Sequence, residues 1–209
     1  MTVRDDADRL RGQAFTLEGF VAAALLLGAV GLALQTAVAP PESGTQDRPG
    51  SLRTQADDVL RTTASSDRGL SYAVRYWDPL RQRFYAANDR AVGYGNATMP
   101  AELFDGAFAR AFDTRSLTYN VVVVYQQPNT TALGQESLVY RGTPSENAVT
   151  ARHTTTLYDG MRLTSPAAGA RTLTEFTTNE SNDEGRFYPI PDVSDGPVYN
   201  VVEVRVTVW

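Results

Sequence analysis

One histidine, no cysteine and scattered carboxylates are what this sequence offers to chemistry. His153 stands between Arg152 and Thr154 in a β-branched stretch, with no serine elbow or thiol beside it. An imidazole acts as base or metal ligand only where neighbours orient it and supply the nucleophile or the remaining ligands. His153 therefore reads as a strand residue. The acidic run Asp183-Glu184, with Asn182 before it and Asp192 beyond, has the oxygens Ca²⁺ takes but not calcium-loop spacing, and reads as a solvated loop. Neither a GxSxG elbow, an HExxH zinc signature nor a phosphate-cradling glycine loop occurs. No catalytic residue, metal or cofactor is expected, and the chain does not read as an enzyme. What remains is a modification signature. Asn96-Ala97-Thr98, Asn129-Thr130-Thr131 and Asn179-Glu180-Ser181 are N-glycosylation sequons, each in a turn-rich stretch.

The element that must position everything else is apolar. Between Gly19 and Leu34 there is no polar or charged residue, and Phe15, Leu17 and Ala37-Val38-Ala39 extend the run. At 1.5 Å per residue, a helix over 15–39 is long enough for a hydrocarbon core of about 30 Å. Within lipid only a helix satisfies such a segment's backbone. Arg4, Arg9 and Arg11 precede the run, which places the N-terminus in the cytoplasm and the rest outside. Three fates stay open for this helix. It is an uncleaved anchor, a signal peptide cut after Ala37-Val38-Ala39, or a helix kept after removal of a short leader. Against the second, Pro40 and Pro41 follow the small-residue triplet at once.

Composition narrows the partners. The net charge of −5 argues against nucleic acid, whose phosphates demand a basic surface. All 19 basic residues are arginine, and an acidic, lysine-free chain resembles proteins of halophilic archaea. With Cys 0, no disulfide supports the fold and no lipid is carried on a cysteine.

Arg11-Gly12 directly before Gln13-Ala14-Phe15-Thr16-Leu17-Glu18 and an unbroken apolar helix resembles the class III signal of type IV pilins. More narrowly, that opening and the ending Val198-Tyr199-Asn200-Val201-Val202-Glu203-Val204 resemble pilin-like membrane proteins of haloarchaea. The resemblance implies that a prepilin-type peptidase reads Arg11, Gly12 and Gln13, cutting after Gly12 so that Gln13 opens the mature chain. It further implies that helices bundle with those of other subunits, through Phe15, Phe20, Leu25, Gly28 and Leu32. In bacterial pilins a glutamate fifth from the cut pairs with a neighbouring subunit's new amine; here Glu18 is sixth. Glu18 thus either sets subunit registry against another chain's Gln13 or sits solvated at the headgroups, favoured by the helix dipole. Ala24 and Gly28, with Ala29 and Ala33 nearby, supply small faces for helix packing.

Beyond a Pro/Gly linker over 40–50, the spacing of Leu52, Ala56, Val59 and Leu60 predicts a helix from Ser51 to about Thr63. Leu70, Ala73, Val74 and Trp77 at helical spacing favour a second helix ending at Asp78-Pro79, although Tyr72, Val74 and Tyr76 alternate as a strand would, and a short strand is expected over Arg83–Ala86. A third, opened by Pro100, carries the stripe Leu103, Phe104, Ala107, Phe108, Ala111 and Phe112, which reads as a core face. Strands are expected at Leu117–Tyr125, Gln135–Arg141, Asn147–Tyr158 and Val198–Trp209. In the third of these, Val149, Ala151, His153, Thr155 and Leu157 share a face. Thr164–Pro197 reads as a long polar loop, functional or mobile.

The fold class expected is α+β: an N-terminal transmembrane helix, then an extracellular domain with helices packed on a roughly four-stranded antiparallel sheet, pilin-like. The divisions are a cytoplasmic basic leader over 1–14, the membrane helix over 15–39, the linker over 40–50 and the head over 51–209. Partners expected are membrane lipid, its own or other pilin-like subunits, and a prepilin-type peptidase. The function expected is assembly into a surface filament or secretion system at the cell membrane. The alternative is a single-pass anchored binding module that meets its ligand through the loop over 164–197.

Overall fold

The computed structural model describes residues 48–95, 99–176 and 186–209. The leader, the apolar stretch, Arg11-Gly12-Gln13, Glu18, Phe15, Phe20, Leu25, Gly28 and Leu32 lie outside them, as do Asn96, Asn179 and Asp183-Glu184. Among the described residues no helix is long and apolar enough to cross a membrane.

Helix α1 runs Arg48–Ala64, three residues earlier than the linker reading allows. Arg48-Pro49-Gly50 form its first turn, where proline's missing N–H costs no hydrogen bond and its fixed φ suits the helix. Ala56, Leu60 and Thr63 are buried, and Leu52 and Val59 are packed beside them, at the spacing that makes one helix face. The buried Thr63 hydroxyl donates to the carbonyls of Val59 and Leu60, which removes the cost of a polar group in the core.

Helix α2 is only Leu70–Val74 and stops short of the expected Asp78-Pro79. Trp77–Asp78 (β1) instead pairs antiparallel with Arg83–Phe84 (β2), Trp77 opposite Phe84. Asp78 dictates the change: its carboxylate accepts from the backbone N–H of Leu80 and Arg81 and binds the Arg81 guanidinium, closing a turn where a helix would have continued.

The Pro100 helix is the larger correction. Leu103, Phe104, Phe108 and Phe112 are all fully buried, as a core stripe should be, but the backbone is broken. A 3₁₀ turn at Leu103–Gly106 precedes α3, Ala107–Ala111, and another 3₁₀ turn follows at Asp113–Arg115. Phe104, Asp105 and Gly106 have φ of 55°, 49° and 66°, left-handed values that end a right-handed helix. Tertiary bonds hold the break: Phe104 N–H donates to Arg68, and the Ser66 hydroxyl to Asp105. Phe108 then sits 4.3 Å from Phe104, and both Phe108 and Phe112 meet Tyr119, ring to ring.

Four strands follow, β3 (Tyr119–Gln126), β4 (Leu133–Val139), β5 (Val149–Tyr158) and β6 (Val198–Val208), in the order β4-β3-β6-β5 with every neighbour antiparallel. The last strand therefore enters at the centre and leaves β5 at an edge. Val202, Val204, Val206 and Val208 are buried on the face that α1 covers, while Val201, Glu203, Arg205 and Thr207 take the wet face.

The stretch read as a long loop, Thr164–Pro197, is bound to the core in its described parts. Thr164 N–H donates to Arg75, its hydroxyl to Tyr72, and the Ser165 hydroxyl to Trp77. On the far side Phe187, Tyr188 and Ile190 are buried. Trp77 Nε1 donates to the Phe187 carbonyl and the Tyr188 hydroxyl to Val74. Aromatic residues inside a polar-looking stretch were the signal that it packs.

Candidate functional site

His153 lies midway along β5, paired with Val204 and half-buried, and its imidazole makes no hydrogen bond or ion pair with any described residue. Nothing there orients an imidazole for catalysis. Among the described residues no three His, Cys, Asp or Glu side chains come together as metal ligands. Asp192 turns its carboxylate to the N–H of Ser194 in its own loop.

The structure instead pairs charges that are far apart in the sequence. Arg90 meets Glu136 on the inner face of β4, with Nη2 2.5 Å from Oε1 and Nε 3.1 Å from each oxygen. Its guanidinium carbon lies 5.0 Å from the Phe187 ring centre and 5.8 Å from that of Trp77. Glu136 is 7% exposed, so its carboxylate is held in the core by a guanidinium that reaches both of its oxygens. Arg141 also lies on a ring, its guanidinium 4.1 Å from the Tyr119 ring centre, and makes a single contact, at 2.6 Å, with the exposed Asp113.

The buried tyrosines offer no nucleophile or base. Burial pushes the Tyr119 phenol up to about 12, and burial likewise raises Tyr94, Tyr188 and Tyr199. Burial, and then a 2.6 Å hydrogen bond to Glu102, raise Tyr76; the same bond draws Glu102 below the usual carboxylate range. All these phenols stay protonated at neutral pH.

On the surface, an open groove of about 620 Å³ runs between α1 and α3. Thr54, Gln55 and Asp58 form one wall and Arg110, Ala111 and Arg115 the other. Gln55 bridges it, donating to the Ala111 carbonyl at 2.8 Å and accepting from Arg115 at 2.9 Å. Hydroxyl, amide and guanidinium groups in open water can hold a polar chain from a partner. They form no nucleophile–base pair.

Residues 11–208 match a family of unknown function (DUF7288). The chain belongs to this family. No curated protein and no solved structure matches it.

The DUF7288 span opens on Arg11 and closes on Val208, so Arg11-Gly12-Gln13, the apolar stretch and the α+β domain through Val208 fall within one family unit. Of the three sequons in this DUF7288 chain, Asn129-Thr130-Thr131 is described. It caps the β3–β4 hairpin, where Gln127 N–H donates to the Ala132 carbonyl and Ala132 N–H to the Thr130 hydroxyl. Asn129 has φ 57°, a conformation asparagine tolerates after proline in a turn, and it is exposed together with Thr131. Arg90 and Glu136 were beyond sequence reasoning, because an ion pair across 46 positions leaves no local signal. Arg110 and Arg115 drew no reading from the sequence, because their place beside α1 depends on the fold.

Proposed function

We propose that this chain is a pilin-like or pseudopilin-like assembly subunit. Its apolar N-terminal helix stays in the membrane or in a bundle of like helices, and its acidic α+β head stands outside the cell. One observation carries the reading: a single family span joins Arg11-Gly12-Gln13 and the apolar run to the complete head. Against a disposable signal peptide, Pro40 and Pro41 follow Ala37-Val38-Ala39 at once. A further feature supports it: the chain enters the described domain through α1, a helix laid on an antiparallel sheet. In this role Arg11, Gly12 and Gln13 are the processing site, Glu18 sets the registry, and the helix from Phe15 through Leu32 forms the bundle. The sequons mark the outer side, with Asn129 at an exposed hairpin tip.

Intact mass and N-terminal sequencing of the protein from its native membrane test the proposal. The mature chain should begin at Gln13, and replacing Gly12 with a bulky residue should leave the leader attached. A chain beginning at Pro40, free of the membrane, would overturn it. One beginning at Met1 or Thr2 would reduce it to an anchored module.

A further inference from the structure

The two outer strands of the sheet differ. Strand β4 has part of its free edge capped, because Tyr94 N–H donates to Leu138, Tyr140 N–H donates to Val92, and Gly93 forms a bridge to Val139. Strand β5 has no such cover among the described residues.

Which backbone groups β5 leaves open follows from the ladder. Thr118 and Trp209 exchange both their hydrogen bonds, at 3.1 and 3.0 Å. Antiparallel pairs alternate between bonded and non-bonded. The bonded pairs of β3 and β6 are therefore Asn120 with Thr207, Val122 with Arg205 and Val124 with Glu203. That turns Val202, Val204, Val206 and Val208 toward β5, where they meet Thr155, His153, Ala151 and Val149. The N–H and C=O groups of Thr150, Arg152, Thr154 and Thr156 then point away from the sheet, and none of them bonds to another described residue. Edge strands are ordinarily blunted by proline, charged side chains or a mid-strand bulge. Strand β5 has no proline, Arg152 is the one arginine or carboxylate on it, and its one irregularity comes at its end, between Leu157 and Tyr158.

We propose that this edge pairs with the β5 edge of a second copy of the chain, antiparallel about a two-fold axis through His153. The outward groups bond only if even-numbered residues face even-numbered ones. Centring on His153 meets that condition and pairs the whole of Val149–Leu157 up to the bulge. Thr150 then faces Thr156 of the second copy, and Arg152 faces its Thr154. Centring on Arg152 would set two guanidiniums directly opposite. Charge favours the chosen register as well. Arg152 is exposed, lies across from Arg205 in its own sheet, and makes no ion pair with a described residue. Thr154 lies across from Glu203, which Arg205 of the same chain already binds, so each Arg152 would join that pair on the other copy from two strand spacings away, about 10 Å between backbones and within reach of the two side chains. The inference stands on the edge strand alone and does not depend on the fate of the N-terminus.

The cysteine-free chain makes the test direct. In the full-length protein, His153→Cys should cross-link to itself under mild oxidation. Non-bonded antiparallel partners lie about 4.5 Å apart at Cα, inside the range a disulfide accepts. Thr155→Cys should not cross-link, since the two copies of residue 155 would be about 13 Å apart along the strands. Adding Thr154→Pro to His153→Cys removes an N–H that points outward, a change an edge strand tolerates, and should abolish the cross-link while circular dichroism and thermal unfolding stay those of the parent. No self-cross-link at His153→Cys, equal cross-linking at both positions, or a cross-link that survives Thr154→Pro would each overturn the pairing.

Discussion

Asn200 is fully buried near the start of β6, where its side chain stands in for backbone. Its Nδ2 donates to the carbonyls of Gln126 at 3.1 Å and Pro191 at 2.8 Å, and its Oδ1 accepts from Gln126 N–H at 3.2 Å. One carboxamide thus closes the end of β3 and ties the segment after residue 186 to the sheet. Asn200→Ala removes three bonds worth about 1 kcal/mol each, so the expected loss is about 3 kcal/mol. Gln126 is exposed, and water reaching its freed groups keeps the cost near that sum. For a domain of this size each kcal/mol moves Tm by about 2–4 °C, which predicts a fall of about 6–12 °C. The assay is thermal unfolding of the full chain followed by near-ultraviolet circular dichroism, with Asn120→Ala for calibration. Asn120 does the same work at the other end of β3, with two bonds, to Arg141 N–H at 2.8 Å and the Gly142 carbonyl at 2.9 Å. It should cost about 2 kcal/mol. The two sites are about 20 Å apart along the strand, so the double variant should show the sum. An Asn200→Ala protein that melts within about 2 °C of the parent would refute the reasoning.

Gly93→Ala should destabilise by more than about 2 kcal/mol in denaturant titration, since the residue has φ 58° and an added Cβ would lie 2.1 Å from the Leu138 carbonyl oxygen. Alkali should unfold the head. Burial lifts Tyr119 from 10.0 to about 12 and raises Tyr76, Tyr94, Tyr188 and Tyr199 too. A raised pKa in the fold means the unfolded phenols lose their protons first, so stability is intact below pH 10 and drains away as pH rises from 10 toward 12. Phenolate absorbance should therefore rise together with loss of the circular dichroism signal; full ionisation of a still-folded protein would contradict it.

The strands were legible because β-branched and aromatic runs are local signals. Leu117–Tyr125 and Val198–Trp209 fall within a residue or two of β3 and β6. Their order was not legible, since no local property of Val198–Val208 says that it enters between β3 and β5. The Phe104-Phe108-Phe112 stripe shows the same division more sharply. Its spacing marked the right residues as core, yet the backbone that buries them is interrupted at Phe104–Gly106 by bonds to Arg68 and Ser66, contacts from a different corner of the chain. In Thr164–Pro197 the polar majority concealed Phe187, Tyr188 and Ile190, whose burial depends on Trp77 lying across from them. The candidate surface was hidden for a related reason. The groove wall formed by Arg110 and Arg115 exists only because α3 is short and turned against α1.

The absence of lysine takes on structural meaning at these sites. A guanidinium is planar, weakly hydrated and donates along two directions at once, whereas an ammonium is a compact, strongly hydrated point charge. Arg90 uses both properties, lying against Phe187 and Trp77 while forking onto the carboxylate of Glu136. Arg141 lies over Tyr119 and reaches Asp113 from the same position. Each arrangement lets an acidic chain hold carboxylates against its aromatic core, at a place where a lysine would surrender either the ring contact or the second hydrogen bond. Choosing arginine throughout therefore does more than balance charge at the surface. It allows a head with no cysteine to bring charged groups into its packing, and it leaves Arg152, on an open strand edge, with a planar group suited to a carboxylate on another chain.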